Sequence, residues 1–237
     1  MRVGIRRFLS LAAVAVSASI TPAAPAQALP ASCAFRPVYP TRISIGQSVT
    51  SRSIGLAVND PACRDLMYDV SAYLVRGTDQ TFEYWSESGP TDTLTLFDSQ
   101  IRPGTYVTQG GTANANDLGY NPVPASFVNN STVIKFAGRV ALAGTRSSSN
   151  RVTLTATSRK WTPFGGYLTT PYKYVDFQRY VPATSTHKAY WGTVRRAMTN
   201  SRGAYSFSFY LAKRYSYRVL LEESSVAFGS ASGSLYR

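Results

Sequence analysis

Histidine and cysteine are scarce in this 237-residue chain, which contains one histidine, His187, and two cysteines, Cys33 and Cys63. A Ser-His-Asp triad needs a histidine beside its nucleophile, and the sequence has no G-x-S-x-G motif. His187 lies in the polar segment 183–188, where we expect an exposed loop. These three residues are too few for a zinc site unless carboxylates complete it. We therefore predict a protein without catalytic residues, bound metal or cofactor.

Carboxylates are also few, with 12 Asp/Glu against 25 Lys/Arg. Sugar hydrolysis needs two carboxyl groups about 5–10 Å apart across a cleft. Glu83, Glu87 and Asp92 are close in sequence and are the candidates for such a pair, but nothing in the sequence indicates a cleft. We expect these side chains to be solvated. A secreted glycan-active enzyme that uses them is kept as an alternative.

The D-x-D-x-D-G run of a calcium-binding loop is absent as well. Oxygen ligands are available only from scattered loop residues, namely Asn114, Asn116 and Asp117 in one segment and Asn59 and Asp60 in another. Because Asn and Asp in loops commonly serve turn geometry, we do not predict a calcium site.

Hydrophobic runs long enough to cross a bilayer are missing. The apolar run 8–20 follows arginines at positions 2, 6 and 7, and it precedes the small-x-small pattern Ala26-Gln27-Ala28. This arrangement is typical of a secretory signal peptide. We predict that residues 1–28 are removed and that the protein is secreted, without a transmembrane segment. In an exported protein, Cys33 and Cys63 are expected to form a disulfide.

Helical periodicity over 12 or more residues is not found after the leader. Short runs alternate instead between apolar and polar residues, as in 67–75, 204–211 and 214–221, and clusters of Gly, Pro, Asn and Ser separate them. The glycine- and asparagine-rich segment 110–124 is expected to be a long loop. The pattern predicts an all-β fold of two tandem antiparallel sandwich domains, an N-terminal module at 29–137 and a C-terminal module at 138–237.

Four segments of the C-terminal module carry a recognisable pattern: V-D-F-Q-R at 175–179, W-G-T-V at 191–194, T-N-S-R-G-A-Y-S-F at 199–207 and Y-R-V at 217–219. This pattern resembles the Ig-like repeat of secreted actinobacterial proteins. The R-P-G-T-Y segment at 102–106 is similar to a turn of the Ig-like domain that often precedes that repeat. The resemblance implies Ig-like sandwiches and a secreted binding or accessory role, with Trp191 filling the space between the sheets.

Positive charge is what the sequence has in excess, and it is unevenly placed. Residues 29–131 carry 6 Lys/Arg and 9 Asp/Glu, whereas residues 132–237 carry 16 Lys/Arg and 3 Asp/Glu. We expect neighbouring strands to assemble a cationic face that binds an anionic extracellular polymer or surface. The candidate polyanion-binding residues are Arg159, Lys160, Arg195, Arg196, Arg202, Lys213, Arg214 and Arg218.

Other interpretations of this charge and of the loop stay open. The positive charge can serve solubility alone. An inhibitor or interaction module that acts through the segment 110–124 is a further alternative. Motifs of sequence-specific nucleic-acid recognition are absent, so such a partner is not predicted.

Overall fold

The computed structural model describes Pro30 and residues 32–237, so the predicted signal peptide at 1–28 lies outside the described residues. Strands make up 64% of the structure and helix 2%, which confirms the all-β prediction. The helical part of the described residues is a short 3-10 helix at Pro61–Asp65. In this part of the chain, no helix has the length and apolarity needed to cross a membrane.

The N-terminal sandwich has a sheet ordered β6-β3-β1-β9, and its buried face shares one core with strands β10, β7, β4 and β5 of a larger sheet. Phe35, Ile54, Trp85 and Ile134 are among the buried core residues. The strands are β1 (Cys33–Val38), β2 (Arg42–Ile45), β3 (Val49–Val58), β4 (Met67–Arg76), β5 (Asp79–Ser86), β6 (Thr91–Phe97), β7 (Gly104–Asn116), β8 (Pro122–Val123), β9 (Ala125–Phe127) and β10 (Ser131–Arg146).

The turn before β7 has a feature typical of Ig-like sandwiches. Tyr106 is buried, and its hydroxyl donates to the carbonyl oxygen of Arg102 at 2.9 Å. A tyrosine that returns to the main chain a few residues upstream at a sandwich corner is a hallmark of these folds. The Tyr106 contact therefore matches the Ig-domain turn to which the 102–106 segment is similar.

The predicted disulfide between Cys33 and Cys63 is confirmed, with a Cα–Cα distance of 5.9 Å. Both cysteines are fully buried in the N-terminal core. The bond joins β1 to the 3-10 helix, because Cys33 begins the strand and Cys63 lies in the middle of the helix.

The C-terminal sandwich places β10, β11, β12 and β15 opposite a second sheet ordered β14-β13-β16-β18, with β19 also paired to β16. Phe177 lies at the centre of its core, 4.9 Å from the ring of Phe207. The strands are β11 (Arg151–Thr162), β12 (Gly166–Thr169), β13 (Tyr174–Val181), β14 (Tyr190–Met198), β15 (Ala204–Tyr210), β16 (Ser216–Leu221), β17 (Ala227–Phe228), β18 (Ser230–Ala231) and β19 (Leu235–Tyr236).

Strand β10 belongs to both sandwiches and passes through position 138 without interruption. One core cluster contains residues from Cys33 to Phe136 together with Ala227, and the other contains residues from Val140 to Leu221. The domain limits 29–137 and 138–237 stay a prediction.

The expected long loop at 110–124 is wrong over its first half, because β7 continues to Asn116. Gly110 has a positive φ of 63°, and the register between β4 and β7 shifts opposite this point. Glycine allows such a bulge inside a strand, so its presence does not mark a loop here. The long interaction loop of the inhibitor alternative is therefore much shorter than expected.

Polar contacts join the two sandwiches beside the shared strand. The Trp161 indole nitrogen donates to Asp98 Oδ2 at 2.9 Å, and Asp98 is only 4% exposed. Glu223 accepts from Lys135 Nζ at 2.7 Å and also from Arg42. These contacts tie Trp161 of β11 to the segment after β6, and Glu223, which follows β16, to β2 and β10.

Replacing Trp161 with Phe is expected to lower the free energy of unfolding by about 1.5–3 kcal/mol. Phe keeps most of the ring packing, but the buried Asp98 carboxylate loses its donor. Urea denaturation measures the decrease. The control is Trp191→Phe, since the Trp191 ring is in contact with Arg218 and Tyr180 at the surface. Equal decreases in the two variants would contradict this role for Trp161.

Candidate binding surface

Two of the eight predicted cations, Arg196 and Arg218, lie on the outer face of the β13–β14–β16 sheet. Val175 and Phe177 of β13 point into the core, so Asp176 and the other alternate residues point outward. Arg196 pairs with Asp176, and Arg218 pairs with the next outward residue, Gln178. Directly paired residues share a face, which places both arginines outside.

The structure does not bring the other six to this face. Arg159 lies on the outer face of the opposite sheet, because it alternates with the buried Ser158 and Ala156 on β11. Arg195 pairs with the inward-facing Phe177 and so points to the other side of β14. The remaining predicted residues lie beside a junction cavity or in connections between strands, namely Lys160, Arg202, Lys213 and Arg214.

The prediction that the eight side chains form one common cationic face is therefore wrong. Successive side chains of a strand point to opposite sides, and the strands that carry these cations belong to two sheets that face each other. Lys160 is accompanied by Lys173 and Phe228 at a cavity of only about 50 Å³. Such a volume holds a few waters at most. That any one of the eight binds a polyanion stays a prediction.

Arg196 is neutralised locally by two carboxylates. Its guanidinium lies 3.0 Å from Glu222 Oε2 and 3.9 Å from Asp176 Oδ1, and it also covers the ring of Tyr174 at 5.0 Å. All of these groups are partly exposed, so the pairs add little stability. Their effect is to leave Arg196 without excess positive charge for a ligand.

Arg218 has a different environment. Its guanidinium lies over the ring of Trp191 at 4.5 Å, and its Nε donates to Gln178 Oε1 at 2.8 Å. The ring of Tyr180 packs edge-on against Trp191 at 5.4 Å. Among residues 32–237, no carboxylate lies within ion-pair distance of Arg218. Stacking and the Gln178 contact hold the guanidinium flat while its terminal N–H groups stay available.

Trp191 is outside the core, so the expectation that it fills the space between the sheets is wrong. It pairs with Tyr180, which lies on the outer face of β13 together with the alternate residues Gln178 and Asp176. The core position that we expected for it is filled by the rings of Phe177 and Phe207. A tryptophan in a strand carries no local signal of which face it occupies, since either face accepts it.

The outer face also carries a transverse row of aromatic side chains. Trp191 and Tyr180 are neighbours across β14 and β13, and Tyr236 pairs with the outward Ser216 on the far side of β16. Tyr180 is 38% exposed and Tyr236 is 58% exposed. With neighbouring strands about 4.8 Å apart, Tyr180 and Tyr236 stand roughly 10 Å from each other along the row. The sequence pattern does not predict this row, because its members come from three strands that meet only in the folded chain.

The opposite outer face is different in character. Its strands β11 and β15 present small hydroxyl side chains that pair with each other across the strands. Thr153 contacts Ser208 at 2.7 Å, and Thr155 contacts Ser206 at 2.9 Å between their hydroxyl oxygens. Arginine and aromatic side chains also lie on this face, among them Arg151, Arg159 and Tyr210, and Arg139 covers the ring of Tyr167 at 3.8 Å.

The carboxylates considered for sugar hydrolysis are not gathered at an open cleft. Glu83 is only 1% exposed and accepts a hydrogen bond from the Tyr39 hydroxyl. Burial raises the pKa of Glu83 to about 7, although the Tyr39 hydrogen bond acts in the opposite direction. Asp92 accepts from the backbone amide of Tyr84 at 2.9 Å. Glu83 thus points into the core, and the expectation that this side chain is solvated is wrong.

The loop residues considered for calcium have structural contacts. Asp117 accepts from the backbone amides of Gly119 and Asn121, both at 2.8 Å, and hydrogen bonds from Asn121 and Gly119 lower the pKa of its carboxyl group. Asp60 caps the 3-10 helix by accepting from the amide of Ala62 at 2.9 Å. Among the described residues, no three His, Cys, Asp or Glu side chains are grouped as a metal site would need.

The single histidine lies at the surface. His187 is exposed in the connection between β13 and β14, and its Nδ1 is 3.1 Å from the carbonyl oxygen of Lys188. Its ring contacts Tyr190 edge-on at 5.5 Å. These contacts place it in the exposed loop that the sequence predicts.

Comparison with known proteins gives no family model that matches and no curated protein that matches in sequence. Among solved structures, the chain is similar to the D0-D1 domain of Intimin (15% identity, 85% of this chain and 96% of that chain, TM-score 0.27). It is also similar to a marsupial T cell receptor (11%, 80% and 66%, TM-score 0.33) and to the chicken CNTN1 FN1-FN3 domains (11%, 85% and 66%, TM-score 0.31). The fold is defined by the pairing of its sheets and by the Tyr106 corner.

Proposed function

We propose that this protein is an exported, non-catalytic binding protein whose C-terminal module attaches to an anionic extracellular polymer or surface. The supporting observation is uncompensated charge. Residues 132–237 carry 16 Lys/Arg and 3 Asp/Glu. Among them, and within the described residues, Lys135 and Arg196 are the cations in ion pairs. In the described structure, the other cations of the C-terminal module form no ion pair, so no neighbouring carboxylate neutralises their charge.

The scattered placement of these cations indicates how such binding works. Charges on several sides of a sandwich attract a polyanion at long range and release its counterions, and no single contact dominates. Screening by salt over about 8–10 Å weakens this attraction at moderate ionic strength. Affinity is therefore expected to depend strongly on salt and on the number of cations removed.

Export is part of the proposal, and two observations support it. The Cys33–Cys63 disulfide is typical of proteins that fold outside the reducing cytosol. The pattern of residues 1–28 predicts a cleaved leader. An exported cationic protein meets anionic polymers of the cell envelope and its surroundings, which makes them the natural class of partner.

A matched pair of triple variants tests the proposal. Replacing Arg159, Arg202 and Arg214 with Gln is expected to lower the salt concentration that elutes the protein from an anionic resin. It should also reduce the slope of log affinity against log salt by up to about 0.9 for each phosphate that the variant no longer neutralises. The three side chains are exposed and lie outside the ion pairs described above.

The control removes the same charge from the N-terminal module, at Arg36, Arg52 and Arg64, which are also exposed. A clearly smaller effect of this control supports attachment through the C-terminal module. Equal effects of the two triple variants, or retention of the unchanged protein that does not respond to salt, would contradict it.

A further inference from the structure

The aromatic row on the outer face of the β13–β14–β16 sheet is not covered by any described part of the chain. Tyr180 and Tyr236 are exposed, and Trp191 is partly exposed beside them. Exposed aromatic groups in a row, rimmed by polar side chains, are typical of a binding surface. Its ligand must offer flat apolar patches at a spacing of roughly 10 Å, two strand separations.

Arg218 adds one anion receptor to this row. Its guanidinium is held by the ring of Trp191 and by the Gln178 amide oxygen, so little side-chain freedom remains to be given up on binding. A flat guanidinium with free terminal N–H groups matches a carboxylate in the two-point manner. The ligand therefore carries a carboxylate beside its apolar patches.

The carboxylates on this face limit the charge density of a ligand that can bind there. Asp176 and Glu222 lie on the same face and neutralise Arg196, which leaves Arg218 as its cation without a carboxylate partner. A nucleic-acid strand has a phosphate on every nucleotide and would bring further phosphates beside these two carboxylates. A polymer with widely spaced carboxylates meets Arg218 without that repulsion.

From this combination we infer that the outer face binds an acidic polysaccharide in which uronate units alternate with neutral sugars. The apolar C–H faces of two sugar rings lie on Tyr180 and Tyr236, and a uronate carboxylate accepts hydrogen bonds from Arg218. The chain of sugars runs across the strands, along the aromatic row. This inference rests on the proposed function and names the ligand class of one face of the C-terminal module.

The test is calorimetric titration of the full chain with a hyaluronan octasaccharide, whose glucuronate units alternate with N-acetylglucosamine, at one fixed salt concentration. Tyr180→Ala and Arg218→Lys are each expected to weaken binding about tenfold or more, as truncation of central aromatic and arginine side chains commonly does. Lysine keeps the charge of Arg218 but not the two-point geometry. The same variants should change retention on a polyphosphate resin less than twofold.

Matched controls on the opposite outer face are Arg151→Lys and Tyr210→Ala, which make the same chemical changes away from the row. They are expected to change hyaluronan affinity less than twofold. A further variant, Gln178→Glu, leaves all three rings in place and gives Arg218 a carboxylate of its own, so it should also weaken binding at least tenfold. Its melting temperature is measured alongside to separate weaker binding from impaired folding.

Several results would overturn the inference. If the unchanged protein is retained by a polyanion in a salt-dependent way but does not bind hyaluronan, this inference fails and the proposed function stands. If it binds neither, both fail. Equal effects of the Arg151 and Arg218 variants would show that the loss of affinity is not specific to this face. A tenfold weaker affinity for single-stranded DNA with Tyr180→Ala, and an unchanged affinity for hyaluronan, would assign the face to nucleic acid instead.

Discussion

The free energy of unfolding is expected to fall by about 3 kcal/mol as the pH rises from 4.5 to 8, and Glu83→Gln should remove this decrease. Glu83 is buried, and burial raises the pKa of its carboxyl group from 4.5 to about 7. The folded protein thus favours the neutral acid. The stabilisation is complete below the unfolded-state pKa and is lost as the pH rises through the folded-state pKa. Glutamine stays neutral throughout this range.

Urea denaturation at pH 4.5, 6, 7 and 8 measures the effect as the difference between the unchanged protein and the variant. Other carboxyl groups, such as Glu223 with its lowered pKa, titrate in both proteins and cancel in this difference. Glu87→Gln is the control, since Glu87 is exposed and lies close to Glu83 in the sequence. A difference that does not vary between pH 4.5 and 8 would show that Glu83 titrates normally in the folded state.

Removal of the Cys33–Cys63 disulfide should lower the free energy of unfolding by about 3–4 kcal/mol, the value that chain entropy gives for a loop of this length. The bond closes a segment with a sequence separation of 30. The expected decrease is a large part of the roughly 5–15 kcal/mol that stabilises a typical domain. Both cysteines are fully buried, so the double variant Cys33→Ala/Cys63→Ala avoids burying a hydroxyl group.

Denaturation of the double alanine variant is compared with that of the unchanged protein before and after reduction by a thiol. Agreement between the reduced protein and the variant separates the effect of the bond from that of the substituted side chains. If reduction leaves the midpoint of unfolding unchanged, the disulfide does not constrain the unfolded chain as proposed.

Local patterns in the sequence account for much of the fold. The alternation at 204–211 places Tyr205, Phe207 and Phe209 against the C-terminal core, as expected from a period of two. The R-P-G-T-Y segment forms the corner that contains Tyr106. The even cysteine count in a chain with a predicted leader was enough to predict the disulfide. In each case the prediction depends on a few residues that are neighbours in sequence, or on the oxidising compartment to which a leader directs the chain.

The binding surface was not predictable in the same way. Trp191 was expected inside because the pattern of a single strand does not state which face is buried. The eight cations were expected together, although Arg195 and Arg196 are adjacent and point to opposite sides of β14. The glycines at 110–111 were expected in a loop, whereas they form a bulge within β7.

Composition and short-range periodicity thus predicted an all-β chain, a disulfide and a C-terminal half with excess positive charge. The pairing of strands distant in sequence established the rest. Register between β13, β14 and β16 turned Trp191, Tyr180 and Arg218 toward one outer face, and a slip of one residue would have sent them into the core. Which side chains meet at a surface is a property of paired strands, and no single segment contains that information.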